Sequence, residues 1–169
     1  MVEKVLHRMI EYFGDDVRRI NHALKVYGFA STISRIEKLN GEIIGIVEIA
    51  AILHDIGIPI SEKKYNSCIG KYQEIEGPPI AREILEKLNI KPEIIERVCY
   101  LIGNHHTYTK IDGIDFQILV EADFLVNIYE DEMTEHAVSS VKEKYFKTLT
   151  GITLMNSLYI NHNKASTES

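Results

Sequence analysis

No stretch of this chain is apolar for long enough to suggest a membrane span. The longest such run, Ile43 to Leu53, is about half of the ~20 residues needed, and Glu48 interrupts it. Nor does the start resemble a secretory leader, since Met1-Val2-Glu3-Lys4-Val5-Leu6-His7-Arg8 weaves charges among its apolar residues. A cytoplasmic protein without a membrane partner is expected. Cysteine is scarce: Cys68 and Cys99 could form one bridge, but neither shows metal-site spacing. Cys99 also falls in an apolar helical pattern where a free thiol packs well, so reduced thiols are expected. Basic residues are outnumbered, 19 Lys and Arg against 25 Asp and Glu, for a net charge of -6. This argues against a nucleic-acid polymer, whose binding rests on neutralising phosphates. A small anionic substrate stays open if a local cation, such as a bound metal, draws it in. Repeats, low-complexity blocks and linkers are absent, so residues 1–169, at 45% apolar and 26% charged, read as one globular domain.

What is present is helical periodicity. Val2 to Phe13 reads as a first amphipathic helix stopped at Gly14, and Asp15 is placed to cap a second that runs to about Leu39. In that second helix His22, Val26, Phe29 and Ile33 share one face, which points His22 inward. Asn40-Gly41 makes a turn. A third helix, about Glu42 to Asp55, sets Val47, Ala50, Ala51 and His54 on one face, with Gly57 beyond it free to take a left-handed turn.

Pro59 bars simple continuation, and Ser61 to Gly77 reads as a polar loop with a helical turn around Lys71 to Ile75. Gly77-Pro78-Pro79 and Lys91-Pro92 open a fourth and a fifth helix, proline being suited to a first turn. In the fifth, Val98, Leu101, Ile102 and His105 share a buried face. After the Asp112-Gly113 turn, Phe116 to Tyr129 forms a sixth helix with Leu119, Ala122, Asp123 and Val126 facing inward. Residues 134–160 carry further helices, Glu135 to Phe146 and Thr150 to Ile160, and 161–169 is polar enough to fray. The apolar content of Ile152 to Ile160 fits a packed terminal helix or an interface, leaving oligomeric state open.

Four helices thus each carry an ionisable residue on an apolar face. A single buried histidine is commonly a satisfied core residue. Asp123 is harder to place, because an ionised carboxylate in an apolar setting costs several kcal/mol unless a charge pairs with it, and no Lys or Arg lies within a turn on its face. One divalent metal held by His22, His54, Asp55 and Asp123 would satisfy all four groups.

In this order the residues resemble the signature of the HD-domain metal-dependent phosphohydrolases: a lone histidine (His22), a His-Asp pair ending a later helix (His54-Asp55), and a downstream aspartate (Asp123 in Glu121-Ala122-Asp123-Phe124-Leu125). The resemblance covers about residues 15 to 130. It implies an all-α bundle with a metal site at its centre and hydrolysis of a phosphate ester or anhydride, of a nucleotide above all, by metal-activated water. The implied cofactor is a divalent transition metal (Fe, Mn, Co, Ni or Zn), one ion expected and a second allowed. His105 or its neighbour His106 is similar to a second-metal histidine of many relatives, while the earlier such histidine is matched here by Glu76.

The resemblance makes Asp55 both ligand and orienter of the nucleophile, with Glu76 or His105 handling the proton. Arg19, one turn before His22, resembles a phosphate-contacting arginine, and Lys71 and Tyr72, with Tyr65, are placed at the mouth. The lysine that many relatives carry soon after His-Asp-Ile-Gly is missing, Lys63 and Lys64 coming later. Two other readings are a non-catalytic HD-type module that binds a nucleotide or a protein around a structural metal and, third, a diiron oxygenase of HD type.

Overall fold

The spacing of three and four residues between apolar positions becomes, in the computed structural model, nine α-helices among the described residues, 1–161, with no strand among them. They are α1 Val2–Phe13, α2 Val17–Ile36, α3 Gly41–Leu53, α4 Ile58–Tyr65, α5 Gly70–Lys87, α6 Pro92–Ile102, α7 Ile114–Glu130, α8 Glu135–Tyr145 and α9 Leu149–Met155. A 3₁₀ turn, Tyr108–Lys110, lies between α6 and α7, and the chain after α9 widens into π geometry over Asn156–Ile160. The all-α expectation holds. Of the tail expected to fray, 162–169 lies outside the described residues.

The centre of the bundle is α3. Every residue from Gly45 to Leu53 is buried, as suits a helix apolar on all sides, and α1, α2, α6 and α7 pack around it. Each fully buried side chain such as Ile49 or Leu53 contributes roughly 1.5–3 kcal/mol. Glu48 is accommodated because it faces α2, where Ser31 Oγ (2.7 Å) and Arg35 Nη2 (2.8 Å) donate to its carboxylate. With α4, α3 makes a run, Gly41–Tyr65, that is longer than the sequence suggested and meets the length and composition of a membrane span; 67% of its most apolar window is buried inside the bundle.

Several boundaries differ from expectation, each for a local reason. The cap of α2 is Asp16, not Asp15: its side chain accepts from the Arg19 N–H at 3.2 Å. The third helix ends at Leu53 and the fifth expected helix, α6, at Ile102, so His54, Asp55, His105 and His106 occupy the turns beyond. Gly57 is right-handed (φ -76, ψ -16). It must be glycine because a Cβ there would lie 2.7 Å from both the Gln73 carbonyl oxygen and the Gly77 nitrogen, so α4 meets α5 backbone to backbone.

The expected loop from Ser61 to Gly77 is mostly helix. Pro59 occupies the first turn of α4, where a missing N–H costs nothing. Helix α5 starts at Gly70 and runs through Pro78 and Pro79 rather than opening on them. The upstream turn is held from outside: the Gln73 amide donates to the Cys68 carbonyl (2.6 Å), and Glu74 and Glu76 each take hydrogen bonds from neighbouring segments. Such tertiary contacts outweigh the prolines' preference for a helix start. Both cysteines are free, Cys68 exposed and Cys99 buried.

Candidate metal centre

His54 and His105 are set by one device at two helix ends. Each donates its Nδ1 hydrogen to the carbonyl three residues back, Ala51 at 2.8 Å and Ile102 at 2.7 Å, using an oxygen that a helix terminus leaves open. That fixes the tautomer and turns Nε2 inward. His22, on α2, donates Nδ1–H instead to Glu130 Oε2 at 2.9 Å; Glu130 lies two turns beyond Asp123 on α7 and also pairs with Lys25.

The Nε2 atoms of His22 and His54 then face each other at 3.1 Å. Asp123 Oδ1 is 3.3 Å from the first and 3.6 Å from the second, and Asp55 Oδ2 is 3.6 and 3.5 Å from them. Four electron-rich atoms so close repel one another unless a cation lies among them. Ligand atoms held ~2.0–2.1 Å from one transition metal lie about 3–3.4 Å apart, so the set fits a divalent ion. Asp123 Oδ1 is buried with no hydrogen-bond partner among the described residues, a cost that a metal would remove.

Burial opposes charge on His54, but the carboxylates of Asp55 and Asp123 overcome it and raise the imidazole to about 9. His22 is raised against burial by Asp123. Asp55 and Asp123, also against burial, are held well below the usual carboxylate range by the facing histidines.

Asp55 has a second oxygen, Oδ1, 3.6 Å from His105 Nε2, which is likewise buried without a partner among the described residues. Ligand atoms of Asp55, His105 and His106 lie within 4.8 Å of one another, as do those of His22, His54 and Asp123. Asp55 therefore stands between two triplets with one oxygen toward each. His106 packs on the His105 ring (centroids 4.0 Å), and burial followed by the His105 charge pushes it down to about 4, which keeps it neutral and ready to ligate. The first turn of α5 grips this segment. Glu74 accepts from His106 N–H (3.0 Å) and Thr107 Oγ1 (2.9 Å), and a Cβ on Gly70 would come within 2.6 Å of the His106 ring.

Both triplets border a cleft of about 590 Å³, a volume that suits a small-molecule ligand. Its acids, Asp16, Asp55, Glu62, Asp123, Glu130 and Asp131, outnumber its two arginines, so a phosphate would be repelled without bound cations. Arg19 lines it, forked between Asp16 and Glu62 (2.6 Å).

Four expected residues stand elsewhere: Glu76, Tyr65, Lys71 and Tyr72. Glu76 joins neither triplet, because Lys64 Nζ and Tyr65 Oη donate to its two oxygens at 2.8 Å each. Those bonds hold its carboxyl below the usual range, which makes it a poor base. Lys71 and Tyr72 do not line the cleft; with α5 helical from Gly70, Gln73 turns inward, and the Tyr72 ring stacks on Tyr65 at 4.0 Å. Sequence reading passed over Arg18, Gln73, Asn127 and Glu130, all of which line the cleft. Glu130 had a usable signal, its two-turn spacing from Asp123, whereas Gln73 had none while the segment read as loop.

Among solved structures, the crystal structure of a "predicted HD superfamily hydrolase" from an uncultured Thermotogales bacterium superposes with a TM-score of 0.70 at 24% identity, covering 97% of this chain and 88% of that one. At that identity the likeness speaks for the fold. No curated protein matches significantly. The sequence profile of the HD domain matches residues 19–143, a span that takes in His22, the His54-Asp55 pair and Asp123 together. On that match, the chain belongs to the HD-domain family.

Proposed function

We propose that this protein is a metal-dependent phosphohydrolase that cleaves a phosphate ester or anhydride of a small substrate, with nucleotides as the leading class. The observation that carries the reading is the position of Asp55 between two ligand triplets at the cleft, with two buried ligand atoms, Asp123 Oδ1 and His105 Nε2, otherwise unpartnered among the described residues. His22, His54, Asp55 and Asp123 would hold one divalent transition metal, and Asp55, His105 and His106 a second. When bound, such ions lower the pKa of water and draw charge from a phosphoryl oxygen.

The side chains supply the rest. Asp55 orients both ligand sets, with Oδ2 toward His54 Nε2 and Oδ1 toward His105 Nε2. Arg19 and Arg18 offer guanidinium donors to a phosphate at the wall. The bonds made by Lys64 and Tyr65 support leaving Glu76 out of proton transfer.

The test is elemental analysis of protein purified without added metal, run beside phosphate release from a nucleotide panel and an aryl phosphate in Mn²⁺, Co²⁺ and Ni²⁺, with Asp55→Ala as control. About two ions per chain, with release abolished in Asp55→Ala, is the expected result. Failure to bind any divalent metal would overturn it. Two irons with oxygen consumption and no phosphate release would favour oxidative cleavage instead.

A further inference from the structure

A second cleft, about 650 Å³, lies between the α6–α7 connection and α8 and shares His106 as a wall with the metal cleft. Its chemistry is the reverse of its neighbour's. In a protein of net charge -6 none of the described residues that line it is acidic, while Lys144 and Lys147 bring two ammonium groups to it.

Its donors are also largely unspent. The Lys144 ammonium and the hydroxyls of Tyr108 and Tyr145 have no hydrogen-bond or ion-pair partner among the described residues, and Lys147 Nζ donates only to the Glu143 carbonyl at 3.2 Å. The two tyrosine rings are fixed, packed on each other at 4.5 Å and on Phe124 at 5.3 and 5.1 Å, so their hydroxyls are held in place rather than swinging free. Cations, fixed hydroxyl donors and an absence of lining carboxylates suit a dianion.

We propose that this cleft seats the far end of the substrate and that this end carries a phosphate of its own, so that the preferred substrate is phosphorylated at two positions. One phosphoryl group faces the triplets, and the other is held by Lys144 and Lys147 with the tyrosine hydroxyls. The inference rests on the phosphohydrolase reading for the word substrate, but the binding it asserts can be measured without turnover.

The experiment is an NMR titration of ¹⁵N-labelled protein loaded with diamagnetic Zn²⁺, using adenosine 3′,5′-bisphosphate and, separately, adenosine 5′-monophosphate, with ³¹P spectra confirming that both ligands stay intact. It compares wild type with Lys144→Ala/Lys147→Ala and with the charge-retaining Lys144→Arg/Lys147→Arg. Both lysines are exposed, and thermal melts check that the variants fold. The bisphosphate is expected to bind wild type about tenfold tighter than the monophosphate or better, shifting amides of Tyr108 and of 144–147. That preference should vanish in the alanine pair and return in the arginine pair.

Equal binding of the two ligands, a preference that survives in the alanine pair, or no binding of either would overturn the proposal. A lysine-dependent preference without phosphate release from any compound would leave the subsite standing and remove the hydrolase reading. Normal release from the monophosphate and an aryl phosphate, with no preference, would do the opposite.

Discussion

Replacing Glu130 separates a residue that positions a ligand from one that merely fills space. Its carboxylate takes the Nδ1 hydrogen of His22 at 2.9 Å and so keeps the Nε2 lone pair aimed at His54 and Asp123. Outer partners of this kind are worth about 10–100-fold in metal affinity, or roughly 1.4–2.7 kcal/mol. Glu130→Gln retains an acceptor but loses the charge, so a loss of about tenfold is expected; Glu130→Ala frees the ring and should approach a hundredfold. The Lys25 ammonium that also meets Glu130 is 47% exposed, so Lys25→Ala should change affinity by less than about fivefold. Competition against a chromophoric chelator with Zn²⁺ or Mn²⁺ measures each variant, beside a thermal melt of the metal-free protein. An alanine variant that binds metal within twofold of wild type, whatever its melting temperature, would refute the positioning role.

Metal uptake should release protons. The metal-free His54 carries a proton up to about pH 9, and a ligating imidazole cannot, so affinity should rise about tenfold per pH unit between roughly pH 7 and 9. Calorimetry in two buffers of different ionisation enthalpy would show it, and buffer-independent heats would contradict it. The same shift has a sign for stability. A pKa raised above the unfolded value near 6.5 stabilises fully below that pH and is lost as pH rises through about 9, so chelated protein should weaken over this window and metal-loaded protein should not. Gly57→Ala forces a Cβ against two backbone atoms of α5 and should cost about 1–3 kcal/mol in urea unfolding. Gly28→Ala, with nothing within 4 Å in a helix interior, should gain about 0.5–1 kcal/mol. Glu121 is fully buried and accepts from Gln117, Lys147 N–H and Thr148, so Glu121→Ala strands these donors and should cost about 3–5 kcal/mol, read in the same assay.

Helix periodicity carried much of the site because ligand and core share a face. His22 and Asp123 sit inside helices, where the 3.6-residue repeat places them directly. His54 and His105 lie just past their helix ends, yet the apolar faces still pointed to them, since a turn that bonds back to the third preceding carbonyl continues the helical direction. The segment between Ser61 and Gly77 was illegible for the opposite reason. Its helicity is supported by contacts of Gln73 and Glu74 with the distant His106 turn and of Glu76 with Lys64 on α4, and local signals, prolines and glycines, argued the other way. From that one misreading followed the placement of Lys71 and Tyr72 at the mouth, where Gln73 stands. The glycine at 57 was recognised but for the wrong cause, because close approach of another backbone leaves no trace in local sequence.

The two triplets differ in what must give way for an ion to leave. The first draws on α2, α7 and the end of α3, the elements that pack on one another at the centre of the bundle, so its ligands separate only when the core itself opens. The second borrows Asp55 but otherwise depends on a single short turn, held by the Glu74 carboxylate and by a glycine pressed against one ring. Opening that turn is a local event that costs a fraction of global unfolding. An ion at the first position would therefore leave only by the cleft, past side chains that the core holds still, whereas one at the second can also leave when its turn opens, giving a slow tenant beside a replaceable one.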